Sequence, residues 1–171
     1  MIFVTVGTQG QFDRLVKTVD VWAGARGRTD VFAQTGPSKY GAEYIHTERF
    51  IDSTEFRRRV EEASLVIAHA GMGSIITALE AGKRIIVMPR RASLGEHRND
   101  HQVATAKRFA EQGRILVAFS ETELVDKLNE SEDWKESERL GSQASSHLVT
   151  VIRGFIETGD KRFENIKNGR S

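Results

Sequence analysis

Two short clusters hold the residues whose types and spacing could do chemistry. The first is Gly71-Met72-Gly73-Ser74, with His69 just before it and the apolar Ile75 and Ile76 just after. Glycines at 71 and 73 carry no Cβ, so the backbone there is free to take positive φ and a ligand can approach it closely. The helix expected behind this turn begins with N–H groups that have no intrahelical partner, at the positive end of its dipole, which suits a phosphate. Each such dipole contact is worth roughly 0.3–1 kcal/mol, enough to hold a diphosphate but not to choose one. A lone pair of glycines would equally well ease a tight strand-to-helix turn, so the neighbourhood decides.

The second cluster is Arg90 to Gln102, where three arginines, two histidines, two side-chain amides and two carboxylates fall within thirteen residues. Nothing in it would fill a core. A polar segment just beyond a strand is where α/β proteins keep their specificity. The guanidinium forks of Arg90 and Arg91 suit a diphosphate or a carboxylated sugar. His97 and His101 stand four apart, as two metal ligands on one helix would, but Arg98 beside them would repel a cation, and no metal is expected. His69 has two open readings, a hydrogen bond to a ligand phosphate or a purely structural role.

The elements that must position these clusters follow from apolar patterning. Leu65–Ala68 and Ile85–Met88 are short apolar runs bounded by polar residues and Pro89, as buried parallel strands are. With the helix expected over Ile75–Ala81 and closed by Gly82, they make a βαβ unit. Ile2–Val6 reads as a first strand running into the loop Gly7-Thr8-Gln9-Gly10. Phe12, Leu15, Val16 and Val19 recur at helical spacing through Trp22, with Gly24 and Gly27 expected to stop the run. Asp30–Gln34 reads as a second strand and Glu43–Phe50 as a third, with Tyr44, His46, Glu48 and Phe50 on one side. A helix is expected from Ser53 to Glu62 with Arg57, Arg58 and Arg59 in solvent. Another runs from Asp100 to Gly113, and a strand from Ile115 to Phe119. Ser120-Glu121-Thr122-Glu123 is a capping box before Leu124. Asn129–Glu138 reads as a loop or frayed helix, and Leu148, Val151, Ile152, Phe155 and Ile156 as an apolar helical stripe ended by Gly159.

Taken in order, Met1-Ile2-Phe3-Val4-Thr5-Val6-Gly7-Thr8, Phe12-Asp13-Leu15-Val16, His69-Ala70-Gly71-Met72-Gly73-Ser74, Gly82-Lys83 to Pro89 and His101-Gln102 resemble the donor-binding half of family 28 glycosyltransferases, over roughly residues 1–120. The resemblance implies an α/β fold, a Rossmann-like parallel sheet with helices on both faces, equivalent to the donor half of a GT-B enzyme. The pattern is similar to the small catalytic subunits of two-part transferases. Some of these make exopolysaccharide or capsule, and the eukaryotic kind adds an N-acetylglucosamine to a dolichol-linked sugar. The reaction implied is inverting transfer from a UDP-sugar to a polyprenyl-pyrophosphate-linked sugar, with a membrane-anchored partner subunit binding the acceptor. On that pattern Gly7, Thr8, Gln9, Gly71, Met72, Gly73 and Ser74 line the donor diphosphate, and His101 opens a helix on which Gln102 bonds sugar hydroxyls. Relatives place an acid on the ribose where this chain has Thr77, with Glu80 one turn on. His69 and His101 are the catalytic candidates, and neither stands out as the base. No cofactor is implied. Two rivals stay open, a UDP-sugar epimerase-like enzyme and a non-catalytic module that activates a membrane-bound transferase.

At 171 residues the chain fits one domain, expected over 1–158 with a tail at 159–171. A net charge of +1 provides no field for nucleic acid, and the absence of cysteine excludes disulfides and thiolate metal sites. No apolar stretch approaches the ~20 residues of a membrane span. Met-Ile-Phe-Val-Thr-Val-Gly reads as a strand rather than a signal peptide. The expected location is therefore cytoplasmic, peripheral at the inner face of a membrane through the partner.

Overall fold

The computed structural model describes residues 1–111 and 115–133. The elements are β1 (Ile2–Thr5), α1 (Asp13–Ala25), β2 (Val31–Gln34), β3 (His46–Glu48), α2 (Ser53–Glu62), β4 (Leu65–His69), α3 (Met72–Glu80), β5 (Arg84–Met88), a 3-10 turn (Ala92–Leu94), α4 (His101–Glu111), β6 (Leu116–Val117) and α5 (Glu121–Glu132). The strands form one parallel sheet in the order β3-β2-β1-β4-β5-β6. This is the Rossmann-like α/β architecture expected, and the order reverses direction at β1 and β4, where such sheets leave a crevice.

Alternation along the strands divides the core into two layers. Val4, Ile67, Ile86 and Met88 pack with Leu15, Val16, Val19 and Trp22 of α1 and Leu124 and Leu128 of α5. Phe3, Val66, Ala68, Ile85 and Val87 face the other way, onto Val60 of α2, Ile75, Ala78 and Leu79 of α3, and Ala106 and Phe109 of α4. Helices therefore cover both faces, and β1 and β2 are buried along their whole lengths. That double burial is why they read in the sequence as apolar runs up to their last residues, Thr5 and Gln34, which bond each other.

Several boundaries differ from expectation for identifiable reasons. α1 continues through Gly24 to Ala25, and Gly27 at φ +61° is what ends it. Gly24 is needed for space, since a Cβ there would lie 2.5 Å from the Tyr44 ring. The third strand is only His46–Glu48, all of it exposed, with Tyr44 and Phe50 also in solvent; Ile45 is the residue that enters the core. β6 shrinks to two residues at the sheet edge. Asn129 lies within α5, where its Oδ1 accepts from Trp22 Nε1 at 3.0 Å and Arg26 Nη2 at 2.8 Å. The expected helix end at Gly113, the stripe from Leu148 to Ile156, and the 158/159 boundary with its tail lie outside the described residues. Among the described residues no helix is long and apolar enough to cross a membrane.

Candidate functional site

The loops leaving the carboxyl ends of β1, β3, β4 and β5 surround a cleft of about 630 Å³. On its floor are Gly7, Thr8 and Gln9 after β1, and His69, Gly71, Gly73, Ser74 and Thr77 at the end of β4 and the start of α3. Ile51, Asp52, Ser53, Phe56 and Arg57 form one wall; Arg90, His97 and Gln102 form the other. A second groove of about 620 Å³ between α1 and α5 has more apolar walls. Convergent polar groups single out the first.

α3 begins earlier than the glycine turn suggests. Gly71 is its N-cap at φ −94°, and Met72, Gly73 and Ser74 are already its first turn. Neither Gly71 nor Gly73 has positive φ, so the expectation of left-handed backbone there is corrected: what these glycines provide is space. A Cβ on Gly73 would meet nothing within 4 Å, whereas one on Gly71 would lie 2.0 Å from His69 Nε2. No side chain caps α3, while Asp52 caps α2 by accepting from the N–H groups of Thr54 and Glu55, and Ser120 caps α5. The first-turn N–H groups and dipole of α3 are thus left open on the cleft.

His69 fills the gap between two backbone turns. Gly7, at φ +73°, would also clash with it, a Cβ there lying 2.6 Å from the ring. Burial, reinforced by the Arg90 cation and partly offset by the Thr5 carbonyl, pushes the imidazole down to about 4. It is therefore neutral near pH 7 and a weak base, and its Nδ1 is buried without a partner among the described residues.

Arg90 is 1% exposed. Its Nη2 donates to the carbonyls of Val6 and Gly10, both at 2.8 Å, which holds the β1 loop in place. Its Nε has no partner among the described residues, and the guanidinium lies over the Phe12 ring, 5.2 Å from the centroid. Burial lowers its pKa and Glu96 only partly counteracts that, so a cation sits in the cleft wall without a carboxylate hydrogen-bonded to it. Gln102 packs against it, its Oε1 accepting from Arg90 N–H at 3.1 Å.

The other expected residues divide between the cleft and the surroundings. Arg91 donates through Nη2 to the Phe119 carbonyl and does not line the cleft. His101 is exposed at the start of α4, outside the lining. Met72 packs its side chain against the second core layer, leaving its backbone at the α3 terminus. Thr77 lines the cleft with its hydroxyl donating to the Gly73 carbonyl at 2.9 Å; Glu80 is exposed and does not. The sequence reading missed His97, Arg57 and Phe56. Arg57 and Arg58 are exposed as expected, Arg57 lining the cleft and Arg58 pairing with Glu55 and Glu62, whereas Arg59 is half-buried over the Phe32 ring and pairs with Glu55. Among the described residues no cluster of three or more His, Cys, Asp or Glu could hold a metal.

A 3-2-1-4-5-6 parallel sheet with a glycine turn, an open helix terminus and a buried arginine at its strand-order reversal defines the class of nucleotide-binding α/β domains that includes the donor halves of GT-B glycosyltransferases. The chain belongs to the glycosyltransferase family 28 C-terminal domain, which it matches over residues 1–153. It is 32% identical over 125 residues to the UDP-N-acetylglucosamine transferase subunit ALG13 of Homo sapiens, covering 67% of this chain but only 11% of that protein's length. Among solved structures it resembles the kitacinnamycin glycotransferase (TM-score 0.60, 17% identity, 90% of this chain and 39% of that one). It also resembles ALG13 in solution (0.58, 21%, 89% and 94%) and Acinetobacter baumannii MurG (0.57, 18%, 89% and 49%). The chain thus spans less than half of the length of the two longer enzymes.

Proposed function

We propose that the chain is the donor-binding, catalytic subunit of an inverting UDP-sugar glycosyltransferase acting on a lipid-pyrophosphate-linked sugar. The observation that carries this reading is the convergence of the Gly7 turn, the uncapped α3 terminus and the buried, partly unpartnered Arg90 on one cleft. An anion there would gain the helix dipole and a cation shielded from water, which strengthens both. As the sugar–phosphate bond breaks, charge develops on the UDP oxygens. In this reading the backbone N–H groups of Met72–Ser74, the Arg90 guanidinium and the neutral His69 would stabilise it in place of a metal. The acceptor side would come from a partner subunit, as a relative that is itself a transferase subunit suggests; following the sequence resemblance, that partner would be membrane-anchored and would hold this chain at the cytoplasmic membrane face. An exopolysaccharide or capsule setting follows the sequence resemblance. The single-domain extent, 1–158 with a short tail, belongs to the same reading.

The test is calorimetric titration of UDP into the wild-type chain and Gly73→Asp. Room at position 73 and the favourable place of a carboxylate in a helix first turn predict a normally folded variant. That carboxylate would stand where phosphate binds, so UDP affinity should fall by about 100-fold or more, beyond ~2.7 kcal/mol. Equal affinity in the two proteins would defeat the phosphate assignment. No binding to wild type at millimolar UDP would leave a partner-activating module.

A further inference from the structure

The cleft has two unlike ends. Strand order puts the loop after β3 and the loop after β5 on opposite flanks of the β1–β4 pair, roughly 19 Å apart at four strand spacings. The β3 flank supplies the cleft's apolar side chains Ile51 and Phe56, alongside Asp52, Ser53 and Arg57, whereas the β5 flank supplies only polar ones, Arg90, His97 and Gln102. With the diphosphate between them, the base ring suits the first end and the sugar the second.

His97 is held at the sugar end by a clamp that reaches across the molecule. Arg14 donates through Nε to Glu96 Oε1 at 2.7 Å and through Nη2 to Glu96 Oε2 at 2.8 Å, and Nη2 also reaches the Pro89 carbonyl at 3.2 Å. Glu96 Oε2 further accepts from Arg91 N–H at 2.9 Å. These two side chains are 12% and 11% exposed, so the pair is shielded well enough to fix the loop. His97 Nδ1 then lies 3.1 Å from the Asn99 carbonyl oxygen and 3.2 Å from Asn99 Oδ1, with Asn99 N–H farther off at 3.4 Å. In the neutral imidazole, two acceptors nearer than one donor favour the tautomer with the proton on Nδ1, whose lone pair is on Nε2. Gln102 is the complement: its Oε1 is taken by Arg90 N–H, so its NH2 is left to donate.

An acceptor and a donor on the same wall match sugar hydroxyls, whereas a phosphate, which only accepts, has nothing to gain from the Nε2 lone pair. We propose that His97 is a specificity-determining residue for the donor sugar, its Nε2 accepting a hydrogen bond from a hydroxyl of the sugar carried by UDP. The inference rests on the reading of the cleft as a UDP-sugar site.

Calorimetry with UDP, UDP-glucose, UDP-N-acetylglucosamine and UDP-glucuronate on the full chain separates the two claims. For His97→Ala, the UDP dissociation constant should stay within about twofold of wild type, while that of the tightest UDP-sugar rises about fivefold, the range of one neutral hydrogen bond. His97→Gln, which keeps an acceptor oxygen, should recover most of the loss. His97→Lys, a donor only, should weaken the UDP-sugar selectively. Equal loss for UDP and UDP-sugar, tighter UDP binding by His97→Lys, or no change for any UDP-sugar would overturn the role of His97. Wild type that binds no UDP would overturn the cleft reading beneath it.

Discussion

Two charged side chains are buried among the described residues, and they are treated in opposite ways. Asp20, on α1, is fully buried and accepts four hydrogen bonds, from the N–H groups of Glu43, Tyr44 and Ile45 and from the Tyr40 hydroxyl, at 2.8–3.1 Å. Burial alone would raise this carboxyl; the backbone donors and Tyr40 overcome it and hold it below its ordinary value. The same contact, added to burial, pushes the Tyr40 hydroxyl up to about 12. Arg90, in the cleft wall, keeps Nε unpartnered and has no carboxylate within hydrogen-bonding reach among the described residues. A satisfied buried charge fastens two segments together, here α1 and the chain between β2 and β3. A partly satisfied one beside an open helix terminus fits the anion site proposed above.

Three measurements break or sharpen that contrast. The largest effect should come from Asp20→Ala, which deprives three backbone N–H groups of their acceptor, that of Ile45 in the core; urea unfolding should show a loss of about 4 kcal/mol, with UDP affinity unchanged in whatever fraction stays folded. Second is the pH dependence of His69, the other underpaired group of the cleft. Its folded pKa of about 4 lies below the ~6.5 of an unfolded chain, so between those values the unfolded state holds the extra proton. Stability should fall as pH drops from about 6.5 to 4, by about 3 kcal/mol from this group, and level off below. His69→Asn should lose that limb in urea titrations run at stepped pH. Asp20, shifted downward, would act only below about pH 4, so the two windows do not overlap. The smallest effect is Arg90→Met: stability should drop by only about 1 kcal/mol, while UDP affinity falls about 30-fold, about 2 kcal/mol for charge-assisted contacts. A large stability loss with UDP binding intact would place Arg90 in the same class as Asp20.

The sheet was legible in the sequence because strands buried on both faces must be apolar without interruption, as Leu65–Ala68 and Ile85–Met88 are. The cleft floor was legible for a related reason: two glycine-bearing turns follow two such strands, and parallel neighbours bring their carboxyl ends together. The first turn of α3 was not, since glycines at 71 and 73 suppress the helical signal although Met72–Ser74 are helical. The burial of Arg90 was invisible too, because it depends on carbonyls at Val6 and Gly10, 84 and 80 positions away. His97 was hidden for the same reason, its placement depending on Arg14 and Glu96, 82 residues apart. Asp20 did leave a mark, a carboxylate four residues after Val16 and three before Ala23 on the otherwise apolar face of α1.

The fit of His69 between Gly7 and Gly71 also constrains how this family member could change. Neither glycine can acquire even a methyl group while an imidazole occupies the space, and a smaller residue at 69 would leave a void until one of them did. Positions 7, 69 and 71 are therefore locked into joint inheritance: single-step drift at any of them passes through a damaged protein. Swapping bulk from 69 to 71 in one double substitution is the route by which the trio could be rewritten.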